Sequence, residues 1–166
     1  LVIQSEYQKR KDEIHQFNQG SAVLKRGIAI TPVKFGISFT VTHLNQAGAL
    51  LHIYTDGSVQ LNHGGTEMGQ GIYTKVAQIV ATTLQIDVGN ICCTATRTDK
   101  VPNTSPTAAS SGSDLNGMAA KQAAEALKNR LSEFAAKQFA VDISAVQFAE
   151  GNVHIGDDTL TFAELA

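Results

Sequence analysis

Asn62-His63-Gly64-Gly65-Thr66-Glu67-Met68-Gly69-Gln70-Gly71 holds four of the chain's 14 glycines in one short run. Before it, Ala49 to Tyr54 alternates apolar and polar residues, Asp56-Gly57 reads as a tight turn, and Val59-Gln60-Leu61 resumes the alternation. That is the pattern of a β-hairpin over 47–63. After it, Ile72, Val76, Ile79, Val80 and Thr83 recur at helical spacing, which predicts a helix to Leu84. A glycine-rich turn between a strand and a helix lets a ligand approach the backbone closely. The free N–H groups and positive dipole end of the helix suit an anionic group.

Working outward, Gln85 to Asn90 reads as a turn and Ile91 to Thr96 as a short strand. Arg97 to Ser113 is polar, with Pro102, Pro106 and seven Ser or Thr; a long loop of this kind inside a compact domain is usually functional. Asp114 caps an expected helix over Leu115 to Phe139, rich in Ala, Leu, Gln and Lys, whose buried stripe is expected at Leu115, Ala119, Ala123, Ala126 and Leu127. Two helix starts could therefore converge on one ligand. The small side chains of Ala108 and Ala109 leave room there for a bulky group.

Toward the N-terminus, Ser5 to Gln19 reads as a solvated helix with Ser5 as candidate N-cap and Asn18-Gln19-Gly20 as its stop. Lys25 to Thr42 is rich in β-formers, and Val33, Phe35, Ile37, Phe39 and Val41 fall on one face of an expected strand; Pro32 argues for an edge or a bend. Toward the C-terminus, Val141 to Val146 and Phe148 to Ile155 read as strands turning at Glu150-Gly151-Asn152, and Thr161 opens another helix. These elements predict an α+β fold: one domain over 1–166, with a two-layer mixed β-sheet and helices packed on one face.

Composition narrows the function classes. Hydrophobic residues make up 43% and charged residues 17% of the chain, with net charge −2. No basic patch points to nucleic acid, and no apolar run reaches the ~18 residues that span a bilayer. Leu1-Val2-Ile3-Gln4 lacks a signal-peptide layout and an initiator Met, so an excised piece of a longer chain is expected, in a reducing cytoplasm. Cys92 and Cys93 read as ordinary core residues facing opposite sides of a strand. His52 and His63 read as surface or hydrogen-bonded side chains rather than a metal pair. Glu67 reads as a hydrogen-bonding residue that fixes its turn.

The run Gly64-Gly65-Thr66-Glu67-Met68-Gly69-Gln70-Gly71 resembles the molybdopterin-contacting segment of xanthine dehydrogenases. Phe35-Gly36-Ile37-Ser38-Phe39-Thr40 and Val101-Pro102-Asn103-Thr104-Ser105-Pro106-Thr107-Ala108-Ala109-Ser110 resemble that family too, in its order and at its spacing. The likeness runs over roughly 1–131. It implies a fragment of the molybdenum-binding region of an enzyme that hydroxylates hypoxanthine and xanthine to urate with water and passes electrons to NAD. The equivalent domain of an aldehyde oxidase type enzyme, or a cofactor-free structural fragment, are the alternatives.

The family likeness also implies roles. Met68, Gly69, Gln70, Thr107, Ala109, Ser110, Ser111, Gly112 and Ser113 would bind molybdopterin. Phe39, Thr40, Ala108 and Ala109 would meet the purine, and the backbone of Ala109 would lie near molybdenum, which the family holds through pterin sulfurs. Gly112 departs from the family pattern, where a Ser is expected. The family's catalytic Glu lies beyond the end of this chain, and its substrate-binding Glu and Arg and a Gln near the metal lie before Leu1. The chain therefore carries no catalytic residue and is expected to be inactive alone. FAD and 2Fe-2S clusters in other parts of the enzyme, and a dimer of the full enzyme, are implied as partners.

Overall fold

The structure is a computed structural model and describes every residue except Ser38, Val101 and Pro102. Residues of both upstream and downstream family-like runs thus lie outside the described residues. The chain divides into two compact units, Leu1–Phe35 and Gly36–Ala166.

The first unit is built on α1 (Tyr7–Gly20), none of whose residues is buried. It starts two residues later than the sequence predicts. Ser5 does not cap it, because the Ser5 hydroxyl donates to the Val2 carbonyl, and Glu6 takes the cap position in a left-handed conformation. The stop is as expected: Asn18 exchanges two hydrogen bonds with the Arg26 backbone, and the Arg26 guanidinium sits 3.8 Å over the Phe17 ring.

The strand expected over 25–42 is absent among the described residues. Val33, Phe35, Ile37, Phe39 and Val41 are all exposed, and the regular structure nearest them is a single 3-10 turn, Thr42–Leu44. Alternation alone makes no strand without a neighbour to accept its ladder of hydrogen bonds. Phe39, whose place on the apolar face of that expected strand would make it a core residue, is 39% exposed.

In the second unit β1 (Ala49–Ile53) and β2 (Val59–His63) form the expected antiparallel hairpin, with Ala49 opposite His63 and Ile53 opposite Val59. Asp56 accepts the Ser58 N–H and Gly57 takes φ +79°, which is why this turn needs its glycine. The chain leaves β2 through the glycine-rich run, forms α2 (Ile72–Leu84) and returns as β3 (Ile91–Cys93), parallel to β2. This is a crossover over a mixed sheet ordered β1-β2-β3. Cys92 and Cys93 face opposite sides of the strand as expected, but only Cys93, half-buried, packs against the core. Cys92 is exposed rather than a core residue, because one face of this short strand is left uncovered, and both are free. Burial pushes the Cys93 thiol up to about 11.

Helix α3 (Gly112–Phe139) begins before the expected Leu115, and Asp114 lies within its first turn rather than capping it. Its buried stripe is Asn116, Gly117, Ala120, Ala124, Ala135 and Ala136; of the expected stripe, Leu115, Ala119, Ala123 and Leu127 are half-buried and Ala126 is exposed. The cause is close helix packing. A Cβ on Gly117 would stand 2.5 Å from Ile79 Cδ1 of α2, so the smallest side chains take the seam and the leucines flank it. Leu51, Val59 and Leu61 of the sheet, Ile72, Val76, Val80 and Leu84 of α2, and Ala120 and Ala124 of α3 meet in one core.

The remaining strands form a separate antiparallel sheet: β4 (Val146–Ala149), β5 (Asn152–Ile155) and β6 (Asp158–Thr161). Two small sheets thus replace the single one expected, and β6 was not foreseen, since Asp158-Thr159-Leu160-Thr161 has one large apolar residue. α4 (Phe162–Leu165) carries a capping box between Thr161 and Glu164. The fold is α+β, and no helix among the described residues is long and apolar enough to cross a membrane.

Candidate functional site

Strand β2 delivers Asn62 and His63 into the interior at 4% and 2% exposure. The Gly65 N–H donates to His63 Nδ1 at 3.1 Å, which places the ring proton on Nε2, and that N–H has no hydrogen-bond partner. Tyr73 meets the ring edge-on at 5.1 Å. Burial lowers the His63 pKa, against the opposing pull of Glu67, so the ring is neutral in the fold. His52, by contrast, is exposed.

Glu67 fixes the turn, as its sequence position suggests. One carboxylate oxygen accepts the N–H groups of Gly69 and Gly71, each at 2.9 Å, and the other accepts that of Tyr73 at 3.0 Å. The N-cap of α2 is Gly71, at φ +76° and without a side chain, so Glu67 supplies the cap from four residues back. The N–H groups of Tyr73 and then Gly71 hold its carboxyl below the usual range. This corrects the idea of two open helix starts: a carboxylate already occupies the α2 terminus. Gln70 is also committed within the turn, accepting from the Met68 N–H at 2.6 Å and donating to the Thr66 carbonyl at 2.8 Å.

The second loop is tied to the first by Thr66, whose N–H donates to Thr107 Oγ1 at 2.8 Å. Ala109 and Ser110 are both left-handed, at φ +53° and +55°. Ser111 is 6% exposed, and its hydroxyl donates to the Ala108 carbonyl instead of capping α3. The first-turn N–H groups of α3 therefore have no side-chain cap. A Cβ on Gly112 would lie 3.0 Å from Ile72 Cδ1, so Ile72 fills the space that a side chain at this position would use.

Between these loops lies a cleft of about 330 Å³ lined by Met68, Gln70, Ile72, Lys75, Thr107, Ala108, Ala109, Ser110, Gly112 and Ser113. The structure thus gathers Met68, Gln70, Thr107, Ala108, Ala109, Ser110, Gly112 and Ser113 from the sequence-derived set. Gly69 and Ser111 are not on the wall: Gly69 points its N–H at Glu67, and Ser111 is packed beneath the loop. Phe39 and Thr40 are exposed and do not line it either. The Phe39 backbone is held by two hydrogen bonds to the Asn45 side chain, and nearby Gln46 bonds Ser105 in the segment leading to the second loop. Sequence reasoning missed Ile72 and Lys75. Their signal was position alone, one residue and one turn past Gly71.

The model of a family described as "Molybdopterin cofactor-binding domain" matches residues 1–166, and the chain belongs to that family. It is 58% identical over 129 residues to the xanthine dehydrogenase of Calliphora vicina, covering 78% of this chain and 10% of that protein. To the xanthine dehydrogenase/oxidase of Mus musculus it is 53% identical over 136 residues, covering 82% and 10%. The chain spans about a tenth of the length of these relatives. Among solved structures it resembles the Cu,Mo-CO dehydrogenase at TM-score 0.67 and 28% identity, over 74% of this chain and 16% of that one. It also shares the fold of quinoline 2-oxidoreductase from Pseudomonas putida 86, at TM-score 0.66 and 23% identity, over 72% and 15%.

The cleft's donor set fits the pterin group that the family implies. It offers hydroxyls of Thr107, Ser110 and Ser113, an uncapped helix start, one cation and no carboxylate. No group of three or more His, Cys, Asp or Glu that could hold a bare metal ion occurs among the described residues.

Proposed function

We propose that this cleft holds the pterin part of a molybdenum cofactor in a xanthine dehydrogenase, the whole enzyme hydroxylating hypoxanthine and xanthine to urate with water and delivering electrons to NAD. The observation that carries the reading is the Thr66–Thr107 bond, which closes two family-like runs, 41 residues apart, around one cleft. The 50–58% identity to xanthine dehydrogenases favours purines over the substrates of other molybdenum enzymes.

Once bound, the cofactor supplies the redox chemistry. The chain's own residues position it. The N–H groups at the α3 start and the hydroxyls of Thr107, Ser110 and Ser113 hold anionic and acceptor atoms. Met68 and Ile72 give an apolar wall against which a flat ring packs. Gly69 and Gln70 shape the first wall, and Ser111 and Gly112 set the second. Ala108 and Ala109 stay small on the cleft wall and would leave room for the metal centre and the substrate, with the Ala109 backbone on the side that would hold molybdenum. Phe39 and Thr40 contact the purine in the complete enzyme. Residues 1–166 act as part of one molybdopterin-binding region, a reading supported by the family match over that whole range. Parts of the enzyme outside this chain carry FAD and 2Fe-2S clusters, and the full protein is a cytoplasmic dimer.

Gly69→Val and Gly71→Val in the intact enzyme test this reading. Both positions have φ in the left-handed region, so a β-branched side chain distorts the wall. Molybdenum content should fall sharply while the thermal transition stays cooperative. Full metal occupancy in both variants would overturn the assignment.

A further inference from the structure

Among the described residues, Lys75 is the only Asp, Glu, Lys or Arg on the cleft wall. Its ammonium makes no ion pair among the described residues, whereas Lys9, Arg97 and Lys121 each have a carboxylate partner. The acids closest to the two loops, Glu67 and Asp114, do not line the cleft. Glu67 is spent on the α2 backbone, so the negative end of that arrangement faces the helix. Lys75 shares the cleft with Gly112 and Ser113, which open a helix of 28 residues with no side-chain cap.

We propose that Lys75 is the counter-charge for the phosphate of the pterin cofactor and sets the strength and salt dependence of its loading. This rests on the cofactor reading above. The N–H groups at Gly112 and Ser113 fix phosphate oxygens by direction. A lysine adds a compact charge with three rotatable donors, which requires no single oxygen geometry. An unpaired lysine in solvent would serve equally well as Gln, and this is the contrast that the test exploits.

Full-length protein carrying Lys75→Gln or Lys75→Arg is prepared without cofactor and titrated with molybdopterin, followed by pterin fluorescence, at low and high salt. Lys75→Gln should weaken binding by about tenfold, the size of one charge-assisted hydrogen bond, and flatten the salt dependence. Lys75→Arg should retain both, and inorganic phosphate should compete against the wild type more strongly than against Lys75→Gln. Wild-type affinity and salt dependence in Lys75→Gln would overturn the role of Lys75 while leaving the cofactor reading intact. No pterin binding by the wild type would defeat both.

Discussion

The Thr66 N–H and the Thr107 hydroxyl, 41 residues apart, meet at 2.8 Å and clasp the two loops that face each other across the cleft. Thr107→Val keeps the shape and removes the acceptor. It should cost about 0.5–1.5 kcal/mol and speed amide exchange at Thr66, while Thr107→Ser leaves both near wild type. Unchanged exchange in the valine variant would show that the clasp does not hold the loops.

Glu67 should give the protein an acid-side dependence. Its carboxyl titrates below the ordinary value of 4.5 because the folded backbone donates to its charged form. A depressed folded pKa contributes stability that is present above 4.5 and lost as pH falls through the lower folded value. Urea midpoints measured from neutral pH downward should show Glu67→Gln less stable at pH 7, with the gap closing in acid. Parallel pH curves would remove Glu67 from the account; Asp56, Asp142 and Glu164, depressed by their own local hydrogen bonds, supply the slope common to both.

His63 acts with the same sign through different physics. Burial lowers its pKa from the ordinary 6.5, so the unfolded chain takes up a proton before the native one does. Stability should be fully present above 6.5 and decline below it. In a titration followed by NMR the His63 ring should take up its proton at lower pH in the folded protein than in the urea-unfolded chain. A midpoint unchanged by unfolding would contradict this.

Gly65→Ala should destabilise through crowding. The new methyl would stand 2.7 Å from Ile72 Cδ1 and 3.1 Å from both His63 Nδ1 and Asn116 Nδ2, a collision costing about 1–3 kcal/mol. Ile72→Val removes the nearest atom, so denaturant unfolding of the double variant should recover part of the loss. Strict additivity would place the strain elsewhere.

Elements held by local signals were legible in the sequence. Asp56-Gly57 and Glu150-Gly151 each announced a hairpin, and the Ile72–Leu84 spacing announced α2. Features that depend on a neighbour were not. Val33 to Val41 alternates like a strand, yet no strand pairs with it among the described residues. The α3 stripe follows the small residues because α2 comes so close, which only the packed pair reveals. Most of the candidate site came from two of the three matching runs, 64–71 and 101–110, and the residues just past the latter; none of the described residues of the run over 35–40 lines the cleft. Lys75 escaped because a lysine one turn into a helix looks the same whether it faces bulk water or a cleft. Likewise, the choice of Glu67 as the α2 cap required knowing that the turn folds back on itself.

The seam between Gly117 and Ile79 has a consequence for the mouth of the cleft. Helices α2 and α3 each carry one cleft wall at their N-terminal ends, and their separation is gauged where Ile79 meets the bare backbone of Gly117. The width of the cleft is thus calibrated some way behind it, by the thickness of one absent methyl group. Variants along that seam would act as shims between the helices, altering the fit of whatever occupies the cleft without touching a single atom of its wall.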